Sequence, residues 1–168
     1  MTEVFFIGIY WQARTEGIDS CSNKLLELFN FLKQEDESFN FWYKTQKPKK
    51  GQVIEPIDSN TKIGVKNLLA LSQNYNDDGT LHEDLGYTIF LKSRTEFAKA
   101  HTLSLTCDCR NKSISNCVTI NIAQVNAPDY LDKITNMEKI YTELVKIWHP
   151  DRGLIRRGDV LIFSQSYV

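Results

Sequence analysis

The sequence predicts an α+β fold, in which a mainly antiparallel sheet packs against a few helices. Two observations favour this class: strand-like and helix-like segments both occur, and they do not alternate regularly as they do in parallel α/β proteins. At 168 residues, with 42% apolar and 24% charged residues, the chain can bury one core of ordinary size. We therefore expect a single domain over residues 1–168, with about five strands and about three helices.

The strand predictions start with Val4–Trp11, because this segment is apolar, aromatic and β-branched. Four later segments also have strand character: residues 86–92, 101–108, 117–122 and 158–164. The polar residues 109–116 join the third and fourth strands and indicate a turn between them.

Three segments show apolar residues at helical spacing. The first follows Asp19 or Ser20 as its N-cap, the second follows Asp58 or Ser59, and the third ends before Pro150. The apolar positions of the first helix are Leu25, Leu28, Phe29 and Leu32, and those of the second are Ile63, Leu68, Leu71 and Tyr75. The third helix is predicted to start at Asp129, and its apolar positions are Ile134, Met137, Tyr141, Leu144 and Trp148.

The four cysteines are too few and too scattered for a disulfide scaffold. Strand alternation puts Cys107 on the core-facing side with His101, whereas Cys117 falls on the opposite, solvent side. His101 is also about 20 Å from Cys107 along an extended strand. We therefore predict no metal and no cofactor, and interpret Cys107 and Cys109 as small core residues.

Motifs of catalysis are missing from the sequence, which has no glycine-rich phosphate loop and no nucleophile elbow. We therefore predict that the protein is not an enzyme and has no catalytic residue. The net charge of −1 argues against direct nucleic-acid binding, and no apolar run approaches the ~20 residues of a membrane span. Because the N-terminus lacks a signal-peptide pattern, we expect a soluble cytoplasmic protein.

The segment NYNDDGTLHEDL, residues 74–85, is polar and acidic. Its first half matches an EF-hand calcium loop, but Leu85 stands where the twelfth position requires a bidentate glutamate. Calcium is therefore not predicted. The segment is either a solvated loop or a docking face for a basic partner, and its acidic residues are Asp77, Asp78, Glu83 and Asp84.

The tripeptide His149-Pro150-Asp151 follows a basic, aromatic helix, as it does in J-domain co-chaperones. A J-domain-like adaptor is thus an alternative function. A J-domain needs a second helix after the tripeptide, whereas residues 152–168 contain glycines and a strand-like run. The simpler interpretation is that Pro150 and Gly153 terminate the helix.

Landmarks spaced along most of the chain form a recognisable pattern. They comprise a strand ending in an aromatic residue and Trp, an Arg and an acidic residue, a leucine-rich helix, a Trp-Tyr pair, a Gly-Tyr, a Cys, and a helix stop of the form Trp-x-Pro-Asp. These are Tyr10, Trp11, Arg14, Glu16, Cys21, Leu25, Leu32, Trp42, Tyr43, Gly86, Tyr87, Cys107, Trp148, Pro150 and Asp151. The pattern resembles the immunity protein 52 family of bacterial polymorphic toxin systems, whose helix stop accounts for the J-domain look-alike.

The resemblance implies an immunity protein that binds and neutralises the toxin domain of a neighbouring effector, delivered by a secretion system such as type VI. It also implies nuclease toxins of the restriction-endonuclease type. Because a nuclease has a basic active-site face, an acidic inhibitor surface can mimic phosphate and exclude substrate. We therefore predict partner binding at Asp77, Asp78, Glu83 and Asp84, with Glu35, Asp36 and Glu37 as the second candidate set.

The resemblance also bears on the tryptophans. A surface that is specific for one toxin differs between members of a family, so positions that the members share hold the fold. We therefore expect Trp11, Trp42 and Trp148 to lie in the core.

Overall fold

The computed structural model describes residues 4–45, 53–96, 100–123 and 130–167. Within these ranges the chain forms seven strands and three α-helices. The strands are β1 Val4–Trp11, β2 Tyr43–Lys44, β3 Tyr87–Lys92, β4 Thr102–Cys107, β5 Asn116–Ala123, β6 Arg152–Arg157 and β7 Val160–Ser166. The helices are α1 Gly17–Glu35, α2 Lys62–Ala70 and α3 Tyr130–Trp148.

All seven strands belong to one sheet, in the order β2-β3-β4-β5-β1-β6-β7, and every neighbouring pair is antiparallel. The predicted α+β class is therefore confirmed, but the sheet has seven strands and not about five. The two additional strands are β2, which is only two residues long, and β6, whose sequence RGLIRR is rich in arginine. Neither segment has the apolar composition on which the strand predictions rested.

The three helices lie on the same side of the sheet and cover its apolar face. Side chains at alternate positions of β1, β3, β4 and β5 are buried there together with the apolar stripes of the helices. Trp11, Trp42 and Trp148 all lie in this core, as expected. Cys107 and Cys109 are buried as predicted, and Cys117 is half-buried on the opposite face.

The starts of α1 and α2 differ from the sequence predictions. The residue before α1 is Glu16, not Asp19 or Ser20, and its backbone N–H donates to the Asp108 carboxylate at 2.8 Å. Helix α2 is capped by Thr61, whose hydroxyl accepts from the Gly64 N–H at 3.0 Å. Asp58 lies further back, where its carboxylate accepts from the N–H groups of residues 60 and 61.

Helix α2 also ends earlier than predicted, at Ala70. Leu71 is the first residue after the helix and is 76% exposed, and Tyr75 lies in the hairpin that follows. The helical spacing of these two residues was therefore misleading. Asp129, the predicted start of the third helix, lies outside the described residues.

The second face of the sheet carries no helix within the described part of the chain. Its side chains are mostly small and polar on β4 and β5, where Thr102, Ser104, Thr106 and Thr119 face outward. On β1 and β6 the outward-facing side chains are mainly aromatic residues and arginines. We call this surface the open face.

Candidate partner-binding surface

The acidic segment folds into a small hairpin between α2 and β3. Tyr75 and Leu81 form an isolated antiparallel bridge, and the backbone N–H of Asn76 donates to the Thr80 carbonyl at 2.8 Å. The N–H of His82 donates to the Asn74 carbonyl at 2.8 Å, which closes the base. The segment is thus held by its own hydrogen bonds and is not an irregular loop. We call residues 73–85 the acidic hairpin.

Asp78 shapes the tip of the acidic hairpin. Its carboxylate accepts from the Thr80 hydroxyl at 2.6 Å and from the Thr80 N–H at 2.9 Å. These two bonds, the hydroxyl first, lower the pKa of Asp78 below its ordinary value. Asp78 therefore keeps its negative charge and also fixes the turn, which ends at Gly79 with φ +82°.

The acidic hairpin is anchored to the loop between β4 and β5 through one carbonyl oxygen. The Asp84 carbonyl accepts from the Arg110 N–H at 2.9 Å, from the Asn111 N–H at 3.2 Å and from the Cys109 thiol at 3.3 Å. Because the main chain of Asp84 makes these bonds, its carboxylate stays exposed to solvent.

Close backbone contact at Gly86 completes the anchor. Gly86 has φ +59°, and a Cβ atom placed on it would lie 2.2 Å from the Cys107 carbonyl oxygen. Only glycine fits this position without displacing the backbone. Gly86 is one of the landmarks of the sequence pattern, and this packing accounts for it.

The structure brings the first candidate set together. The side chains of Asp77, Asp78, Glu83 and Asp84 are all exposed on the acidic hairpin. Two apolar side chains of the same hairpin are exposed as well, since Tyr75 is 60% and Leu81 is 41% accessible. The hairpin therefore presents both acidic and apolar side chains to solvent, a combination that suits protein recognition.

The second candidate set lies elsewhere and is partly engaged. Glu35 forms an ion pair with Lys139 at 2.7 Å, and the Asp36 carboxylate accepts from the Ser38 N–H at 2.7 Å. Within the described residues, Glu37 is the one member of the set that is exposed and whose carboxylate makes no such contact. This set is at the C-terminal end of α1, whereas the acidic hairpin is anchored near the N-terminal end. A 19-residue helix separates them, which is about 27 Å. The two sets do not form one surface.

A buried ionic cluster, which sequence reasoning did not find, lies near the acidic hairpin. The Glu16 side chain is only 6% exposed and contacts Arg14 at 3.2 Å and also the Lys24 ammonium group. The Arg14 guanidinium lies 5.0 Å from the centre of the Trp11 ring, and Lys24 lies 5.1 Å from that of Trp148. Four of these five residues, all except Lys24, are landmarks of the sequence pattern, but nothing in the sequence indicated that they meet.

The His-Pro-Asp tripeptide joins α3 to β1. The Arg14 guanidinium donates to the carbonyl oxygens of Trp148 and, at 3.3 Å, His149. The Asp151 carboxylate accepts from the Gln12 N–H at 2.8 Å, and its own N–H donates to the Tyr10 carbonyl at 2.9 Å. Strand β6 then begins at Arg152, so the second helix that a J-domain requires is replaced by a strand.

In the part of the chain that the structure describes, no three His, Cys, Asp or Glu side chains are placed to hold a metal ion. Among the described helices, none combines the length and the apolar character that crossing a bilayer requires.

The fold and these contacts define a single-sheet α+β protein in which the cluster around Arg14 and Glu16 links the end of β1 to the end of α3. A family model described as immunity protein 52 matches residues 3–160. The chain therefore belongs to the immunity protein 52 family, and the resemblance seen in the sequence is confirmed. Membership of an immunity family in toxin systems points to a partner-binding, non-catalytic role.

Comparison with solved structures and curated proteins gives two further findings. The Pseudomonas aeruginosa T6SS protein PA0821 has a similar fold, with a TM-score of 0.56 at 9% sequence identity. The similarity covers 92% of this chain but only 40% of that protein, so this chain spans less than half of its length. None of the curated proteins compared with the chain matches it significantly.

Proposed function

We propose that this protein neutralises a cognate toxin by binding it stoichiometrically, and that the toxin is a nuclease delivered by a secretion system. Membership of the immunity protein 52 family supports binding and neutralisation. The shared fold with a T6SS protein favours delivery by a type VI system. The protein acts in the cytoplasm of the cell that it protects, where an incoming nuclease would reach nucleic acid.

The observation that carries the proposal is the acidic hairpin. Its four exposed carboxylates, those of Asp77, Asp78, Glu83 and Asp84, belong to a hydrogen-bonded segment that also exposes Tyr75 and Leu81. A nuclease presents a basic surface to its polyanionic substrate, so an acidic surface attracts it and competes with that substrate.

Preorganisation gives the acidic hairpin a further advantage. The turn at Asp78 and Thr80 and the bridge between Tyr75 and Leu81 exist before any partner arrives. Binding then orders few additional side chains, which reduces the entropy lost on association. The exposed Tyr75 ring supplies apolar contact area of the kind that dominates binding energy in protein interfaces.

Inhibition of this kind needs no chemistry from the immunity protein. Occupying the substrate face of the nuclease excludes nucleic acid, and the outcome depends only on affinity and residence time. The proposal therefore assigns no catalytic residue and no cofactor to this chain.

The proposal is tested by co-expression with the toxin domain encoded next to this protein, followed by pull-down and growth measurement. We expect rescue of growth and a stable complex. The triple variant Asp77→Lys, Glu83→Lys, Asp84→Lys should weaken binding at least tenfold, about 1.4 kcal/mol, because it reverses charges that make no described structural bond through their carboxylates. Asp78 is left intact because it holds the turn.

The matched control reverses three charges at the other end of α1, Glu35→Lys, Asp36→Lys and Glu37→Lys. We expect little change in affinity, with thermal unfolding used to check that each variant is folded. Loss of binding in this control alone would move the docking face to the second set. Absence of both binding and rescue by the wild-type protein would refute the neutralising function.

A further inference from the structure

Strands β1 and β6 form a distinct region of the open face. Their cross-strand pairs there are Phe6 with Arg156, Gly8 with Leu154, and Tyr10 with Arg152. We call these six residues the arginine face. The two arginines lie four positions apart on β6, which places them about 13 Å from each other along the strand.

The charge of the arginine face is not balanced locally. Both arginine side chains are exposed, and neither forms an ion pair with a residue in the described ranges. The Arg152 guanidinium lies 5.3 Å from the centre of the Tyr10 ring, so it is held by an aromatic side chain and not by a carboxylate. The outward-facing positions of the described strands contain no Asp or Glu.

A shallow pocket of about 430 Å³ adjoins this region. It is lined by Tyr10, Arg152 and Leu154, with Ser164 and Ser166 contributed by β7. The guanidinium and the two hydroxyl groups are hydrogen-bond donors, and the ring and Leu154 supply apolar walls. This chemistry suits a carboxylate side chain that enters between donors, because a guanidinium can bind both of its oxygens.

We propose that the arginine face binds an acidic segment of the cognate toxin. This inference rests on the proposed function and adds a second contact surface of opposite charge to the acidic hairpin. Charge complementarity carries it: two unpaired arginines on a face without acidic residues attract a partner's carboxylates and disfavour basic segments. Arginine and tyrosine are also the residue types enriched at the energetic centre of protein interfaces.

A protein segment fits this surface better than a nucleic acid does. The protein has a net charge of −1, and nucleic-acid affinity comes from neutralising several phosphates at once. Two arginines supply few such contacts, whereas they are enough to bind one or two carboxylates in an otherwise apolar interface.

The two surfaces are close enough for one partner to reach. The acidic hairpin bridges to β3 through Gln73 and Tyr87, on the side of β3 away from β4, so five strand-to-strand steps separate it from β6. At about 4.8 Å per step the separation across the sheet is about 24 Å. An interface of ordinary size spans this distance, so one toxin domain can contact both.

The test measures the affinity of the purified full-length protein for a catalytically inactive form of the neighbouring toxin domain. The variant Arg152→Glu, Arg156→Glu should bind at least tenfold more weakly than wild type and remain folded. The variant Arg152→Lys, Arg156→Lys should lose less, because lysine keeps the charge but not the planar fork. The control Lys62→Glu, Lys146→Glu makes the same change in net charge on exposed helical positions and should bind as wild type does.

Each contrary outcome has a distinct meaning. If the glutamate variant binds the toxin as tightly as wild-type protein does, the arginine face is not a binding surface for the toxin. The proposed function is unaffected by that result. An equal loss in the lysine control shows a general charge effect and also overturns the inference. If wild-type protein binds a 20-base-pair duplex with micromolar affinity at physiological salt, the arginine face binds nucleic-acid phosphate and not a protein carboxylate, and the inference is overturned. If wild-type protein does not bind the toxin, the proposed function and this inference fail together.

Discussion

The indole rings of Trp11 and Trp148 stack with their centres 5.1 Å apart and their planes 24° from parallel. Trp11 ends β1 and Trp148 ends α3, so this contact fixes the last turn of a helix against the end of a central strand. Both rings are buried, and each is also approached by a cation, Arg14 on one side and Lys24 on the other. The pair therefore contributes to the packing of α3 on the sheet.

Trp148→Ala should destabilise the fold by about 3–5 kcal/mol, because it removes a large buried side chain and leaves a cavity. Urea-induced unfolding followed by circular dichroism measures the change. Phe41→Ala is the control. Because Phe41 is 59% exposed, its substitution should lower the free energy of unfolding by well under 1 kcal/mol. Similar costs for the two variants would contradict the role assigned to the stack.

Glu16→Gln should reduce the free energy of unfolding by about 1–3 kcal/mol, because Arg14 and Lys24 lose the anionic partner that they share. The estimate lies below that for a fully buried pair, since both cations are partly exposed. Glu143→Gln breaks the exposed pair with Lys146 and should cost less than about 0.5 kcal/mol. Unfolding titrations at low and high salt compare the two, and equal costs would argue against the cluster.

His101 should make the protein less stable in mild acid. Its Nδ1 accepts from the Ala123 N–H at 3.1 Å, and its Nε2 lies 2.9 Å from the Ser38 hydroxyl, an arrangement that requires a neutral ring. Burial lowers the pKa of His101, the nearby Asp36 carboxylate opposes this shift, and Arg94 adds to it. Protonation therefore favours the unfolded chain, whose histidine has a pKa near 6.5.

The expected outcome is a free energy of unfolding that is constant above about pH 7 and falls as the pH drops through about 6.5, with a slope of at most about 1.4 kcal/mol per pH unit. Urea unfolding between pH 8 and pH 5 measures it. His101→Asn should flatten the profile, because an amide oxygen can accept from the Ala123 N–H without titrating. His149→Gln, which replaces an exposed histidine outside this network, is the control. A slope that survives in His101→Asn would refute the assignment.

Gly86→Ala should be far more disruptive than Gly79→Ala, although both glycines have a positive φ. A Cβ atom at Gly79 meets nothing within 4 Å, so only the backbone strain of about 1 kcal/mol remains. At Gly86 the same atom collides with the Cys107 carbonyl and moves the base of the acidic hairpin. Thermal unfolding of the two variants gives the comparison, and equal midpoints would contradict the close packing.

Much of the fold followed from local sequence. Five of the seven strands and all three helices lie where apolar spacing predicted them, and the burial of the tryptophans and of Cys107 agrees with the expectation. Strand β6 was missed because Leu154 and Ile155 are the only large apolar residues in its sequence RGLIRR. Only its alignment beside β1 identifies it as a strand.

The acidic hairpin could be identified in the sequence as charged and exposed, but its shape could not. Its form depends on the Asp84 carbonyl meeting the loop after β4, about 25 residues further along the chain. The second acidic set was expected at the end of the first helix, but only the tertiary structure shows that Glu35 pairs with Lys139 of α3 and that the set lies far from the acidic hairpin.

The sequence by itself determined the α+β class and most of the buried residues and elements, because side-chain periodicity and turn residues act over a few positions. Tertiary structure alone decided which distant residues meet. Glu16 joins Lys24 on α1 and Arg14 on the loop before it, while Arg14 bonds to the end of α3, more than 130 residues away. The arginine face likewise exists only because β6 pairs with β1. Such contacts depend on how complete elements pack together, which no local pattern encodes.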